Sequence, residues 1–222
     1  ILQLAPFLVG KHEVSRAQWR RLASDQPKLR LQDGGILDVR NLHQLEKPAN
    51  GVSWTMCARL AQRHGLCLPT DAQWTALQLR EQRSWGSQPP GDDYFGARLN
   101  LRDLSCQNGP YGDPSERCAP FDDHFPVLAP VHSMLADASG LHHLFGNVSE
   151  WCQDAKRLRH PGLRSHDGAT SGPAGYAMLR VIRGGAWNGM EARLTDWFVA
   201  DGTNRAVGCR LARRLIPNEA RQ

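Results

Sequence analysis

No apolar run approaches the roughly 20 residues that a membrane-spanning helix needs, so no transmembrane segment can be read from the chain. None of the six cysteines falls in a CxxC pair, which excludes zinc-ribbon spacing. HExxH, GxSxG and GxxxxGK[ST] are also missing. Their absence removes the commonest signatures of zinc hydrolysis, serine esterase chemistry and phosphate-loop nucleotide binding. There is no internal repeat and no low-complexity tract. Tyrosine is scarce, three against seven tryptophans, and those indoles are expected in a core. The first residue is Ile rather than Met. That implies a removed upstream segment: a signal peptide, an anchor or something else.

What is present suits one loop-rich α+β domain over residues 1–222. Glycine (21) and proline (14) are frequent, and a hydrophobic fraction of 41% suffices for a core. Net charge is +5, and the cations are scattered apart from Lys156-Arg157-Leu158-Arg159 and the run from Arg210 to Arg214. Both clusters read as solvated faces. A continuous basic stripe with interleaved aromatics is not evident, so nucleic acid is not an expected partner. An acidic protein or an anionic surface stays open.

Two helix starts are spelled out by capping boxes, Ser15-Arg-Ala-Gln18 and Thr70-Asp-Ala-Gln73. A third helix is expected over Trp54 to His64, ending at Gly65. From Gln78 to about Ser139 the chain reads as irregular, a length that needs a disulfide or a metal ion to order it. Strands are expected within Leu141–Trp151, Ala177–Trp187 and Gly208–Leu215. Cys106 and Cys118 bracket the polar segment QNGPYGDPSER, and a bridge between them would order it and point to an oxidising compartment. Cys57, Cys67, Cys152 and Cys209 lie among apolar residues, as core thiols or as part of a second bridge.

Four segments in order carry a resemblance: PFLVGKHEVSRAQW (6–19), GVSWTMCARLAQRHGLCLPTDAQW (51–74), GLHHLFGNVSEW (140–151), and IRGGAW (182–187) with GCRLAR (208–213). They resemble the signature of the formylglycine-generating-enzyme (sulfatase-modifying factor) family. The resemblance implies a variant of the C-type-lectin fold, although the family's leading hairpin sequence is not found at the start of this chain. It also implies two calcium sites. The first would use the Asn100 side chain, the Leu101 carbonyl, Asp123 and the Phe125 carbonyl, a mixed oxygen set of the kind calcium takes. The second would use the carbonyls of Gly146 and Val148 with Glu150, its fourth family ligand being replaced by His143, a poor donor for a hard cation. The alternative is that Asp123 and Glu150 cap turns or pair with arginine. His142 and His143 read as half-exposed strand surface rather than an iron site, and Asn147-Val148-Ser149 as a buried motif rather than a glycan acceptor.

The family's enzymes oxidise a substrate cysteine with copper held by two cysteines just after the RGGSW-type motif. Gly189 and Leu194 stand at the matching positions here, and neither offers the soft thiolate that Cu(I) takes. The resemblance therefore implies a pseudoenzyme without copper. Asn188, Met190, Glu191, Arg193, Trp197 and Phe198 would then form a recognition surface, or Trp197 and Phe198 would belong to the core. The basic, Arg/Leu/Gln-rich make-up is similar to periplasmic accessory proteins of type VI secretion that act upstream of a membrane Ser/Thr kinase, PpkA. The implied partner is the periplasmic region of such a kinase or an associated lipoprotein. The other readings are a displayed ligand-binder of the diversity-generating-retroelement kind and a metal-dependent oxidase of unrecognised chemistry.

Overall fold

The structure, a computed structural model, describes residues 4–23, 41–88, 90–110, 112–155, 179–189, 196–199 (backbone) and 204–215. The two capping boxes form as the sequence predicts. Ser15 starts α1 (Arg16–Leu22) and Thr70 starts α4 (Asp71–Ser84), each with reciprocal hydroxyl and Gln bonds. Ser53 caps α3 (Trp54–Arg63) through the Met56 amide, and Gly65 follows at φ 66°. Three short helices were not foreseen: α2 (Leu42–Leu45), α5 (Asp92–Gly96) and α6 (Leu104–Gln107). The stretch expected to be irregular from Gln78 is thus helical to Ser84 and again at α5 and α6. Four or five residues leave too little periodicity to be legible in sequence.

Two small sheets hold the strands. β1 (Phe7–Val9) pairs antiparallel with β6 (Ala212–Arg214), which brings the two ends of the described chain together. The larger sheet has the order β4-β3-β2-β5. It is made of β2 (Ser149–Ala155), β3 (Leu179–Arg183), β4 (Asp196–Val199) and β5 (Val207–Gly208). The expected strand over Gly208–Leu215 is therefore two strands in different sheets. β4 was not expected at all. β2 is central, and only Gln153 in it is not fully buried, which suits a strand covered on both faces.

Helices lock onto this sheet through indoles and one arginine. Trp151 Nε1 donates to the Val52 carbonyl and Trp54 Nε1 to the Cys152 carbonyl, both at 2.8 Å, seating α3 on β2. Arg183 of the RGG segment reaches α4: its Nε donates to Asp71 Oδ1 at 2.6 Å and its Nη2 to Thr75 Oγ1 at 2.7 Å. The core gathers Trp19, Leu60, Trp151 and Ile182 in one cluster, and Trp74, Leu144, Phe145 and Val181 in another.

Arg210 corrects the reading of 210–214 as a solvated cluster. Its side chain is fully buried against an equally buried Glu150, with Nη2 2.8 Å from Oε1. Nη1 also donates to the carbonyls of Gly10 and Lys11, and Nη2 to those of His142 and His143. One guanidinium thus joins the exit of β1, the approach to β2 and the start of the last strand pair. Removing one partner strands a buried charge, so Glu150→Gln or Arg210→Met should each lower stability by about 3–5 kcal/mol. Thermal or urea unfolding measures this; a loss under about 1 kcal/mol would refute it.

Candidate functional site: an oxygen-lined loop junction

The GNV segment organises the loops. Asn147 sits at φ 59° and is fully buried. Its amide nitrogen donates to Glu13 Oε2 (2.9 Å) and to the Ala129 carbonyl. Its oxygen accepts from the Ala129 N–H and from Asn100 Nδ2. Every polar position of this side chain is thus engaged, which explains why Asn147 cannot serve as a glycan acceptor in the folded chain. Gly146 lies at φ 85°, and a Cβ there would collide with the Asn100 backbone.

Asn100 and Asp123, the two side chains expected in the first calcium site, are both buried. Asn100 uses its Nδ2 on the Val127 carbonyl at 2.7 Å, yet its Oδ1 has no partner. Asp123 Oδ1 accepts from the Phe125 N–H (2.7 Å) and from Ser105 Oγ (3.1 Å), and its Oδ2 also has no partner. Among the described residues, no hydrogen bond is donated to the carbonyls of Leu101 or Phe125. Among the described residues, Asn100 Oδ1, Asp123 Oδ2 and the Leu101 and Phe125 carbonyls thus accept no hydrogen bond, two of them on buried side chains where an unmet acceptor is costly. Such a set fits a hard cation of the calcium type. It contains a single carboxylate, and among the described residues no three His, Cys, Asp or Glu converge.

Asp103 was missed by the sequence reading. It is fully buried and caps α6: Oδ1 accepts from the Cys106 N–H at 3.0 Å, and Oδ2 from the Asp123 N–H at 2.5 Å. Burial pushes the Asp123 carboxyl up to about 7, and the neighbouring Asp103 carboxylate adds to the rise.

The second expected site has a different electrostatic setting. Both oxygens of Glu150 accept from Arg210, so its charge already has a partner. His143 is not strand surface: it is 2% exposed, with Nε2 3.2 Å from the Pro130 carbonyl. Burial lowers its pKa to about 3, so the ring is neutral. Glu13, also missed, accepts from the Val148 N–H. Burial, with Glu150 nearby, holds its carboxyl well above the usual range.

The Cys106–Cys118 bridge is not formed; none of the six cysteines is in a disulfide. Cys106 packs inward with Leu128, Val148 and Trp187, whereas the Cys118 thiol faces Gln107 Oε1 at 3.5 Å. Hydrogen bonds order the segment instead. Gln107 Nε2 donates to the carbonyls of Pro114 and Glu116, and Arg102 pairs with Glu116.

Of the expected recognition surface, Asn188 is exposed, while Met190, Glu191 and Arg193 lie outside the described residues, as does Leu194. Trp197 and Phe198 fall on β4, at the edge of the large sheet, in register with Val181 and Arg180. Gly189 accepts from the Arg102 N–H at 2.9 Å. A cavity lined by Trp85, Tyr94, Arg98, Asp137, His143 and Phe145 has room for about one water molecule, too little for a substrate.

The sulfatase-modifying factor enzyme 1-like domain profile matches residues 2–215. The chain belongs to that family. Serine/threonine-protein kinase pkn1 of Chlamydia caviae is 28% identical over 209 residues, covering 85% of this chain and 29% of the kinase. The formylglycine-generating enzyme of Mus musculus is 28% identical over 159 residues, covering 68% of this chain and 38% of the enzyme. The chain thus spans about a third of the length of these curated relatives. Among solved structures, CarF superposes with a TM-score of 0.66 at 18% identity, covering 97% of this chain and 89% of CarF. PvdO from Pseudomonas aeruginosa gives 0.61 at 20% identity, with 95% and 81% covered. These likenesses establish the α+β, C-type-lectin-like fold of the family.

The Asp123 carboxyl makes the junction sensitive to pH. Its folded pKa lies above its unfolded one, so the folded chain holds a proton that the unfolded chain loses above about pH 4. Stability from this group therefore declines as pH rises from about 4 to 7, then levels off. A cation would reverse that cost and displace the proton. Millimolar calcium should raise the melting temperature most at or above pH 7. Titration near pH 6 in buffers of different ionisation enthalpy should find up to about one proton released per ion. Asp123→Asn should abolish both effects; a melt indifferent to calcium and chelator would exclude the site.

Proposed function

We propose that this domain is a non-catalytic binding module that works with a Ser/Thr protein kinase, its loops held by structural calcium at Asn100, Leu101, Asp123 and Phe125. The observation that carries the kinase link is the make-up of the chlamydial relatives. There, 86% of this chain is matched within 30% of a polypeptide named as a Ser/Thr kinase. Tethering raises the effective concentration of two modules that act together. A free module can meet the same partner through its own surface.

The family's copper chemistry does not suit the residues present. By resemblance, Gly189 and Leu194 take the places of the two copper-binding cysteines, and no cysteine lies between Cys152 and Cys209. Cys152 itself is fully buried, and burial raises its thiol well above the usual range. No thiolate pair is available there to grip Cu(I). The finer reading is a periplasmic regulator of the TagR kind that promotes PpkA-dependent activation of type VI secretion. Its partner would be the periplasmic region of that kinase or an associated lipoprotein.

Titrating the purified domain into the extracytoplasmic region of a PpkA-type kinase tests the reading. A saturable complex is expected, and Arg193→Ala and Trp197→Ala should weaken it about tenfold or more without changing the circular dichroism spectrum. No complex with kinase or lipoprotein would overturn the partner claim. Supplied with Cu(I), oxygen and a cysteine-bearing peptide, the protein should form no formylglycine; turnover would overturn the pseudoenzyme claim.

A further inference from the structure

Six cysteines lie among the described residues, and only two share one core cluster. Cys57 and Cys209 are both 0% exposed and pack with Leu60, Trp151, Ile182 and Val207. Cys152 belongs to the cluster around Trp74, and Cys106 to that around Trp187. The Cys67 thiol is directed at the Ala212 carbonyl, 3.4 Å away.

The backbone explains why these two thiols meet. The Gly51 N–H donates to the Val207 carbonyl at 3.0 Å, so the entry to α3 is bonded to β5. At Gly208 the approach is so close that a Cβ would lie 2.7 Å from the Ala49 carbonyl oxygen. From that contact, Cys57 stands one turn into α3 and Cys209 one residue beyond β5. Both side chains are thus buried in the same cluster, where the Cys209 thiol acts on the Cys57 thiol.

We infer that Cys57 and Cys209 form a redox lock that is set while the chain folds: a disulfide between them ties α3 to β5 when folding occurs in an oxidising medium. The chemistry is thiol–disulfide exchange with a small disulfide such as oxidised glutathione. One cysteine thiolate attacks the glutathione disulfide and releases one glutathione thiol. The second attacks the mixed disulfide and releases another, so two protein thiols lose two electrons and two protons in all. Exchange needs an accessible thiolate, and neither sulfur is exposed once the core has closed. Burial also pushes the Cys57 thiol well above its usual range. The folded chain therefore keeps whichever state it acquired during folding.

Refolding the full 222-residue chain from denaturant tests this, either with a reduced/oxidised glutathione mixture or with reductant alone. Free thiols are then alkylated and the digest is analysed by mass spectrometry. A peptide joining Cys57 to Cys209 is expected only after oxidative refolding, together with a higher urea midpoint, because the cross-link closes a long loop in the unfolded chain. Folded dithiol protein given the same glutathione mixture should stay unlinked over the same period. Cys57→Ala should fold under reductant and abolish the linked peptide, leaving Cys209 alkylated. Oxidative refolding that leaves both thiols free, or that links either one to Cys67 or Cys152, would overturn the assignment. Rapid cross-linking of the folded dithiol form would overturn the claim that the state is set during folding.

Discussion

The buried Arg210–Glu150 pair holds the architecture together. Seven hydrogen-bond contacts from one guanidinium reach Glu150 and four backbone carbonyls, at positions 10, 11, 142 and 143. In water such carbonyls would be solvated. Buried in irregular backbone they need donors, and a planar, permanently charged fork supplies several at once. The charge in turn needs a counterion, which β2 provides. Neither half is tolerable alone, so the pair enforces a single arrangement of the closing segments.

A second layer of polar order builds on the first. Glu13, in the turn after β1, accepts from Asn147 and Val148, and Asn147 passes the connection on to Asn100 and Ala129. Long loops are thereby fixed by side-chain amides rather than by strands or bridges. This economy leaves an excess of acceptors where the Asn100 and Asp123 loops meet. A hard cation bound there would satisfy several of these oxygens at once and replace a proton.

The site chemistry and the scaffold are separable here. Interactions that build the family's fold are present from the first capping box to the buried arginine. Residues 188–208, where the resemblance would put the family's copper ligands, contain no cysteine. Fold membership therefore says little about reaction, and function has to be argued from that window and from the company the domain keeps in its relatives.

Local chemistry written in short stretches was legible in the sequence. The capping boxes, the Gly65 stop and the GNV, RGG and GCR segments each encode backbone conformation or burial within a few residues, and they led to the α+β class; the oxygen set at 100–101 and 123–125 came only as what the family resemblance implies. Only the tertiary structure decided who pairs with whom. Arg210 reads as one more surface cation until Gly10 and Glu150 are brought against it. Glu13 and Asp103 are ordinary acids until burial leaves them among backbone amides. Cys106 and Cys118 look like a natural bridge until α6 turns the first inward and leaves the second facing Gln107. Partners 60 to 200 residues apart leave no local pattern, because burial and contact arise from the packing of the whole chain.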